Sequence, residues 1–152
     1  MDHSYAVRVQ WQGNLGTGTS GYREYGRDLL ITAEGNAPIE GSADKPFRGT
    51  AERWNPEELL LAALAQCHML SYLHVATRNG VVVTDYEDDA VGTMAQEGDG
   101  GHFTSVTLRP VVTISAGDPE VARAIHAEAS ELCFIASSVN FPVGHEPRIV
   151  VA

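Results

Sequence analysis

Cysteine is scarce in this 152-residue chain, which has two, Cys67 and Cys133. Neither belongs to a C-x-x-C pair, so a zinc site of the usual spacing is excluded. A disulfide scaffold is also excluded, because a chain of this length buries a core without a covalent staple. Lysine is scarcer still: Lys45 stands alone against nine arginines, and the net charge is −10. That balance argues against nucleic acid or an anionic membrane as a partner, and the acidity reads as solvated surface. No GKS or GKT follows Gly13, Gly16, Gly18 and Gly21, so these glycines read as hairpin turns, not a phosphate loop. No glycine-bearing EF-hand loop accompanies Glu87-Asp88-Asp89, which read as a solvated strand edge. No G-x-S-x-G surrounds Ser137-Ser138. The longest unbroken apolar run, Leu59–Ala65, is too short to span a bilayer.

Repeats, linkers and low-complexity segments are absent too, so one domain over residues 1–152 is expected. The opening MDHSYAVRVQ alternates apolar with polar residues and reads as a strand, not a signal peptide. The expectation is a soluble, cytoplasmic protein with both thiols reduced at rest.

Tyr5, Val7, Val9 and Trp11 predict a half-buried first strand, and Asp28–Thr32 a further short one. Residues 34–54, with Pro38, Pro46 and three glycines, predict a loop that carries Arg48 and Arg53. Asn55-Pro56-Glu57-Glu58 is a strong helix start: Asn caps, Pro fits the first turn, and two acids sit at its positive end. The helix is expected to run to about Arg78, where Asn79-Gly80 stops it. Its middle is apolar nearly all round, which predicts burial on most sides. Strand-like runs follow at about Val81–Ala95 and Phe103–Ser115, turning at 97–101. Asp118-Pro119 opens a second helix with a stripe of Val121, Ile125, Ala129 and Leu132, closed by Cys133. A last strand covers Arg148–Ala152. The order predicts an α+β fold.

Leu60, Leu64, Cys67, Ser71, His74 and Arg78 recur every three or four residues, so they share one helical face. That face turns from apolar to polar as it passes Cys67, and two lone thiols brought together by folding raise the prospect of redox chemistry. A metal reading with His68 and His74 is weak, because residues 67 and 68 point about 100° apart. His102, His126 and His145 read as incidental, although His126, seven residues before Cys133, stands to border that thiol. Glu57 lies ten residues before Cys67, about 15 Å along the axis. It therefore reaches that thiol only through a second chain or an intermediary. Arg48 is the nearest intermediary by sequence, since a guanidinium beside a thiol favours thiolate and a carboxylate holds a guanidinium.

Asn55-Pro56-Glu57-Glu58-Leu59-Leu60, with Cys67 ten after the first Glu, resembles the central-helix motif of the OsmC/Ohr family of osmotically inducible and organic-hydroperoxide-resistance proteins. Cys133 after a helix opening at Asp118-Pro119, the Trp11-x-Gly13 pattern and the closing strand fit the same layout. The resemblance implies an OsmC-like fold: antiparallel sheets around a long buried central helix, in an intertwined homodimer with active sites at the subunit interface. It implies a thiol peroxidase with no bound metal or organic cofactor. Cys67 matches the peroxidatic cysteine, Cys133 the resolving one, Glu57 the acidic partner and Arg48 the activating arginine, with Arg53 as fallback. Glu57 and Arg48 would then act on Cys67 of the other subunit. Substrates would be organic hydroperoxides, fatty-acid hydroperoxides among them, and the reductant a dithiol such as a lipoylated protein. Phe134 after Cys133 and His68 after Cys67 depart from frequent family residues and suggest a divergent branch. Two rivals are a redox-sensing or hydrophobic-ligand-binding module of the same fold, and a hydrolase using Cys67 with His68 or His74.

Overall fold

The computed structural model describes Met1–Ala152, in two compact units, Met1–Leu59 and Leu60–Ala152. In the first, β1 (Arg8–Trp11), β2 (Leu29–Thr32) and β3 (Ile39–Gly41) form an antiparallel sheet, with Trp11 opposite Leu29 and Leu29 opposite Gly41. The W-x-G pattern has a local reason. Trp11 Nε1 donates to Gly26 O at 2.9 Å, and a Cβ on Gly13 would stand 1.9 Å from the same oxygen. The expected first strand forms but is not half-buried: Val9 and Trp11 are 62% and 45% exposed. The stretch 34–54 is also not all loop. It holds β3 and a 3-10 turn at Lys45–Phe47, because Trp54 exchanges backbone bonds with Glu40 and Ser42 and pins the segment in extended form.

α1 spans Pro56–Arg78. Asn55 Oδ1 accepts the Glu58 N–H at 2.8 Å and its Nδ2 donates to the Glu58 carboxylate, closing the start reciprocally. Gly80, at φ 67°, follows the far end. By length and composition α1 would suffice to cross a bilayer, which the unbroken apolar run alone does not reveal. Its burial is narrower than expected: Leu64, His68, Tyr72, Val75 and Ala76 form the one buried stripe, and Leu70 is 55% exposed. Apolar residues on every side state what a helix tolerates; only the stripe facing the sheets of this chain is covered.

The second unit holds two further sheets. The run expected at 81–95 divides into β4 (Val82–Asp88) and β5 (Val91–Glu97), and the run at 103–115 into β6 (Gly100–Leu108) and β7 (Pro110–Ala116). β4 pairs with β7, and β5 with β6, so each apolar run changes sheets midway. Arg109 pins the crossing, its N–H donating to Asp88 Oδ1 and its Nε to Asp89 O, both at 2.7 Å. Asp88 is thus half-buried rather than a solvated edge, and burial raises its pKa. β8 (Val143–His145) joins β6 and β9 (Arg148–Val151) joins β7, both in parallel.

The second helix breaks at Ile125 into α2 (Pro119–Ala124) and α3 (His126–Leu132). Ile125 and Ala129 of the expected stripe are buried, but Leu132 is 43% exposed. One core cluster joins Tyr72, Val75 and Ala76 to Val112, Ile114, Ala122, Ile125 and Ala129. A second joins Leu64 to Val106 and Leu108.

Candidate active site

Cys67 lies mid-way along α1, half-buried, while Cys133 caps the end of α3 and is 1% exposed. The two thiols are near enough for Cys67 to act on Cys133 electrostatically, and both are free. The break at Ile125 and the turn after Leu132 bring Cys133 back over α1. Cys133 Sγ accepts the Ala136 N–H at 3.4 Å, and its carbonyl accepts the Ser137 hydroxyl at 2.9 Å. Burial pushes the Cys133 thiol up to about 11, and the neighbouring Cys67 thiol adds to this against the Ala136 N–H. The two sulfurs therefore differ in environment although they are near each other.

Cys67 opens on a cavity of about 430 Å³. Ser71, His74 and Arg78 continue along it on successive turns of α1, and Leu70, Leu132 and Phe134 form apolar walls. The change from apolar to polar predicted for this face is thus real, and Leu132 serves the cavity instead of the core. Arg78 is tied to Glu128 at 2.8 Å.

Cys133 borders a separate cavity of about 220 Å³ with His68, Ser130 and Ser137. Here the incidental reading of His126 and His145 fails. His68 Nε2 and His126 Nδ1 share a hydrogen bond at 3.0 Å. The two rings lie side by side and nearly coplanar, 5.3 Å between centroids, and His145 packs near both at 5.7 and 5.8 Å. Tyr72 stacks on His126 at 4.1 Å and donates its hydroxyl to Ala122 O. Burial, reinforced by neighbouring rings, lowers His68 to about 4 and His126 to about 3, so both are neutral at pH 7. The available signal is spacing: Leu64, His68 and Tyr72 are four apart, and His126 is four from Ala122 and three from Ala129. No group of three or more His, Cys, Asp or Glu converges in metal-ligand geometry.

The remaining expected residues lie in the Met1–Leu59 unit. Arg48 is the one non-glycine residue with positive φ, at 64°, where its N–H closes the 3-10 turn on Lys45 O at 3.0 Å. This left-handed backbone carries an exposed guanidinium that joins no ion pair. Arg53, by contrast, is engaged by Asp28 at 3.5 Å, by Glu40 at 4.0 Å and by Leu29 O at 3.1 Å. Asp28 in turn has its pKa lowered, chiefly by the Thr50 hydroxyl, with Ser42 and Arg53 adding to that. Glu57 sits in the first turn of α1, half-buried, with Oε2 enclosed and without a partner.

Residues 49–146 match the family of OsmC-like proteins. The chain is 23% identical over 143 residues to the uncharacterized protein YmaD of Bacillus subtilis, covering 91% of this chain and 88% of that one. It superposes on an OsmC-like protein of unknown function from Vibrio cholerae with a TM-score of 0.84 at 30% identity, over 96% of this chain and 99% of the other. An organic hydroperoxide resistance protein OsmC from Legionella pneumophila gives a TM-score of 0.66 at 17% identity, covering 97% of each chain. The organic hydroperoxide resistance protein OhrB of Bacillus subtilis gives 0.60 at 20%, covering 97% of this chain and 98% of that one. At those identities the last two establish the fold.

Proposed function

The chain belongs to the OsmC-like family, and from that premise we propose that it is a cysteine-dependent peroxidase that reduces organic hydroperoxides. The observation that carries this reading is the proximity of two free thiols, one half-buried and facing an apolar-walled cavity, the other buried.

Cys67 is the attacking sulfur, because it meets the cavity, whereas Cys133, pushed up to about 11, holds almost no thiolate at pH 7. The Cys67 thiolate attacks the distal peroxide oxygen; the O–O bond breaks, the alcohol leaves after taking a proton, and Cys67 becomes a sulfenic acid. Cys133 then displaces the hydroxyl, forming the Cys67–Cys133 disulfide and water. A dithiol, a lipoylated protein in this reading, restores both thiols by exchange.

Arg48 is the activating arginine, supported by its free guanidinium and strained backbone, while Arg53 is already neutralised by two carboxylates. The unpartnered Glu57 oxygen supports a guanidinium acceptor role. Both belong, in this reading, to the partner subunit of a homodimer. Leu70, Leu132 and Phe134 favour alkyl or fatty-acid hydroperoxides over hydrogen peroxide.

The test is intact mass after one equivalent of an organic hydroperoxide, on wild type, Cys67→Ser and Cys133→Ser. A loss of about 2 Da in wild type, with a trappable sulfenate in Cys133→Ser alone, is expected. No fast change in any variant would refute turnover and leave a redox-sensing or ligand-binding module.

A further inference from the structure

The larger cavity has a far end that the cycle above does not use. Cys67, Ser71, His74 and Arg78 line it at steps of four, three and four along α1, so they form one row leading away from the thiol. At about 1.5 Å of rise per residue, His74 stands about 10 Å and Arg78 about 16 Å from Cys67 along the axis. Helical side chains lean toward the start of their helix, which carries the Arg78 guanidinium back into the span between those two levels. Leu70, Leu132 and Phe134 supply apolar walls.

The charge in this cavity has one sign. No carboxylate lines it, and Arg78 brings a permanent cation to its far end in a chain of net charge −10. Glu128 of α3 faces that cation from beside the cavity and engages Nη2 alone, at 2.8 Å. Both side chains are about half exposed, and an exposed pair of this kind is weak. The guanidinium fork has five N–H donors, so a second carboxylate shares it with Glu128 or replaces Glu128 at little cost.

We propose, on the peroxidase reading, that Arg78 is a specificity-determining residue that takes the anionic head of an amphipathic hydroperoxide. The head sits at Arg78, the chain lies along the apolar walls, and the peroxide meets Cys67. An extended chain advances about 3.5 Å per three bonds, so a span of about 10–16 Å needs roughly 9–14 bonds between head and peroxide. A long-chain acid with its peroxide at mid-chain satisfies this; a short acid does not reach both ends. The head contact is remote from the reacting oxygens and is the same before and during oxygen transfer. Its loss therefore raises KM and leaves kcat nearly unmoved.

The experiment is steady-state turnover of the full chain with dithiothreitol as the reductant. Linoleic acid hydroperoxide and its methyl ester are compared, below micellar concentrations, on wild type, Arg78→Leu, Arg78→Lys and Glu128→Gln. The readout is the acid-to-ester ratio of kcat/KM within each protein, which cancels any general damage. The ratio should fall about tenfold in Arg78→Leu, through KM, as for loss of one charge-assisted pair. It should recover most of that loss in Arg78→Lys and rise about threefold in Glu128→Gln, where the competing carboxylate is gone. An unchanged ratio in Arg78→Leu, or equal losses for acid and ester, overturns the proposal and leaves the peroxidase cycle intact. Should Arg78→Leu not fold, Glu128→Gln decides: a raised ratio supports the anchor, and one at or below wild type overturns it. Failure to consume either hydroperoxide, with no sulfenate in Cys133→Ser, overturns the peroxidase reading and this inference with it.

Discussion

Acidification to pH 5 should cost this protein stability through two histidines. An unfolded chain protonates an imidazole near pH 6.5, whereas burial lowers folded His68 to about 4 and His126 to about 3. The sign follows from lowered folded values: the unfolded state binds more protons below pH 6.5. Stability is fully present above that value and is lost as pH falls toward 4. At pH 5 each ring contributes a loss of about 2 kcal/mol, from 1.36 kcal/mol per unit over the interval below 6.5. The pair together costs about 4 kcal/mol, a large share of the roughly 5–15 kcal/mol that holds a domain. The carboxylate with a raised value, Asp88, works in the opposite direction and so does not mimic the effect. The assay is urea denaturation at pH 7.5, 6.0 and 5.0 under reducing conditions, on wild type and His126→Phe, which keeps a ring against Tyr72. Wild type should lose about 4 kcal/mol between the ends, and the variant about half as much, whatever its stability at pH 7.5. A midpoint that does not move in wild type, or the same slope in both proteins, would show that the stack is not dry and neutral.

Further outcomes follow from other residues. Iodoacetamide at pH 8 should modify Cys67 in Cys133→Ser at least about tenfold faster than Cys133 in Cys67→Ser, since reaction needs exposed thiolate; equal rates would contradict the 1% exposure of Cys133. Arg48→Gly should raise stability by about 1 kcal/mol, because glycine adopts the left-handed backbone without strain. The same variant should slow sulfenate formation at least about tenfold if Arg48 activates Cys67; unchanged rates in a stabilised protein would remove it from the site. Leu64→Ala, at a fully buried position between α1 and β6, should cost about 2–5 kcal/mol by urea midpoint, and a cost below about 1 kcal/mol would mean that the second core cluster is loose. Sedimentation equilibrium should return the mass of two chains, because one chain leaves Val7, Val9, Leu70 and Phe134 in water; a single-chain mass refutes the homodimer.

Local chemistry made much of this legible in advance. The Asn55 cap, the Gly80 stop and the length of α1 depend on residues within a few positions of each other, and they emerged as expected. The turn at 97–101 and the strand at β2 did likewise. Errors arose where a distant partner decides. Two apolar runs became four strands because Arg109 and Asp88, 21 residues apart, pin a crossing between sheets. The 34–54 stretch held a strand because Trp54 pairs with Glu40. His126 and His145 looked solitary because no spacing rule links residue 68 to residues 126 and 145.

The sequence by itself determined that Cys67 sits on a helix face passing from apolar to polar, since periodicity is a property of the helix alone. It determined the family as well, through a cap, two acids and a cysteine at fixed spacing. Only the tertiary structure decided that Cys133 comes near Cys67, that one thiol is buried while the other meets a cavity, and that three imidazoles cluster beside them. Burial and desolvation are set by what packs from elsewhere in the chain, and those contacts keep the Cys133 thiol protonated.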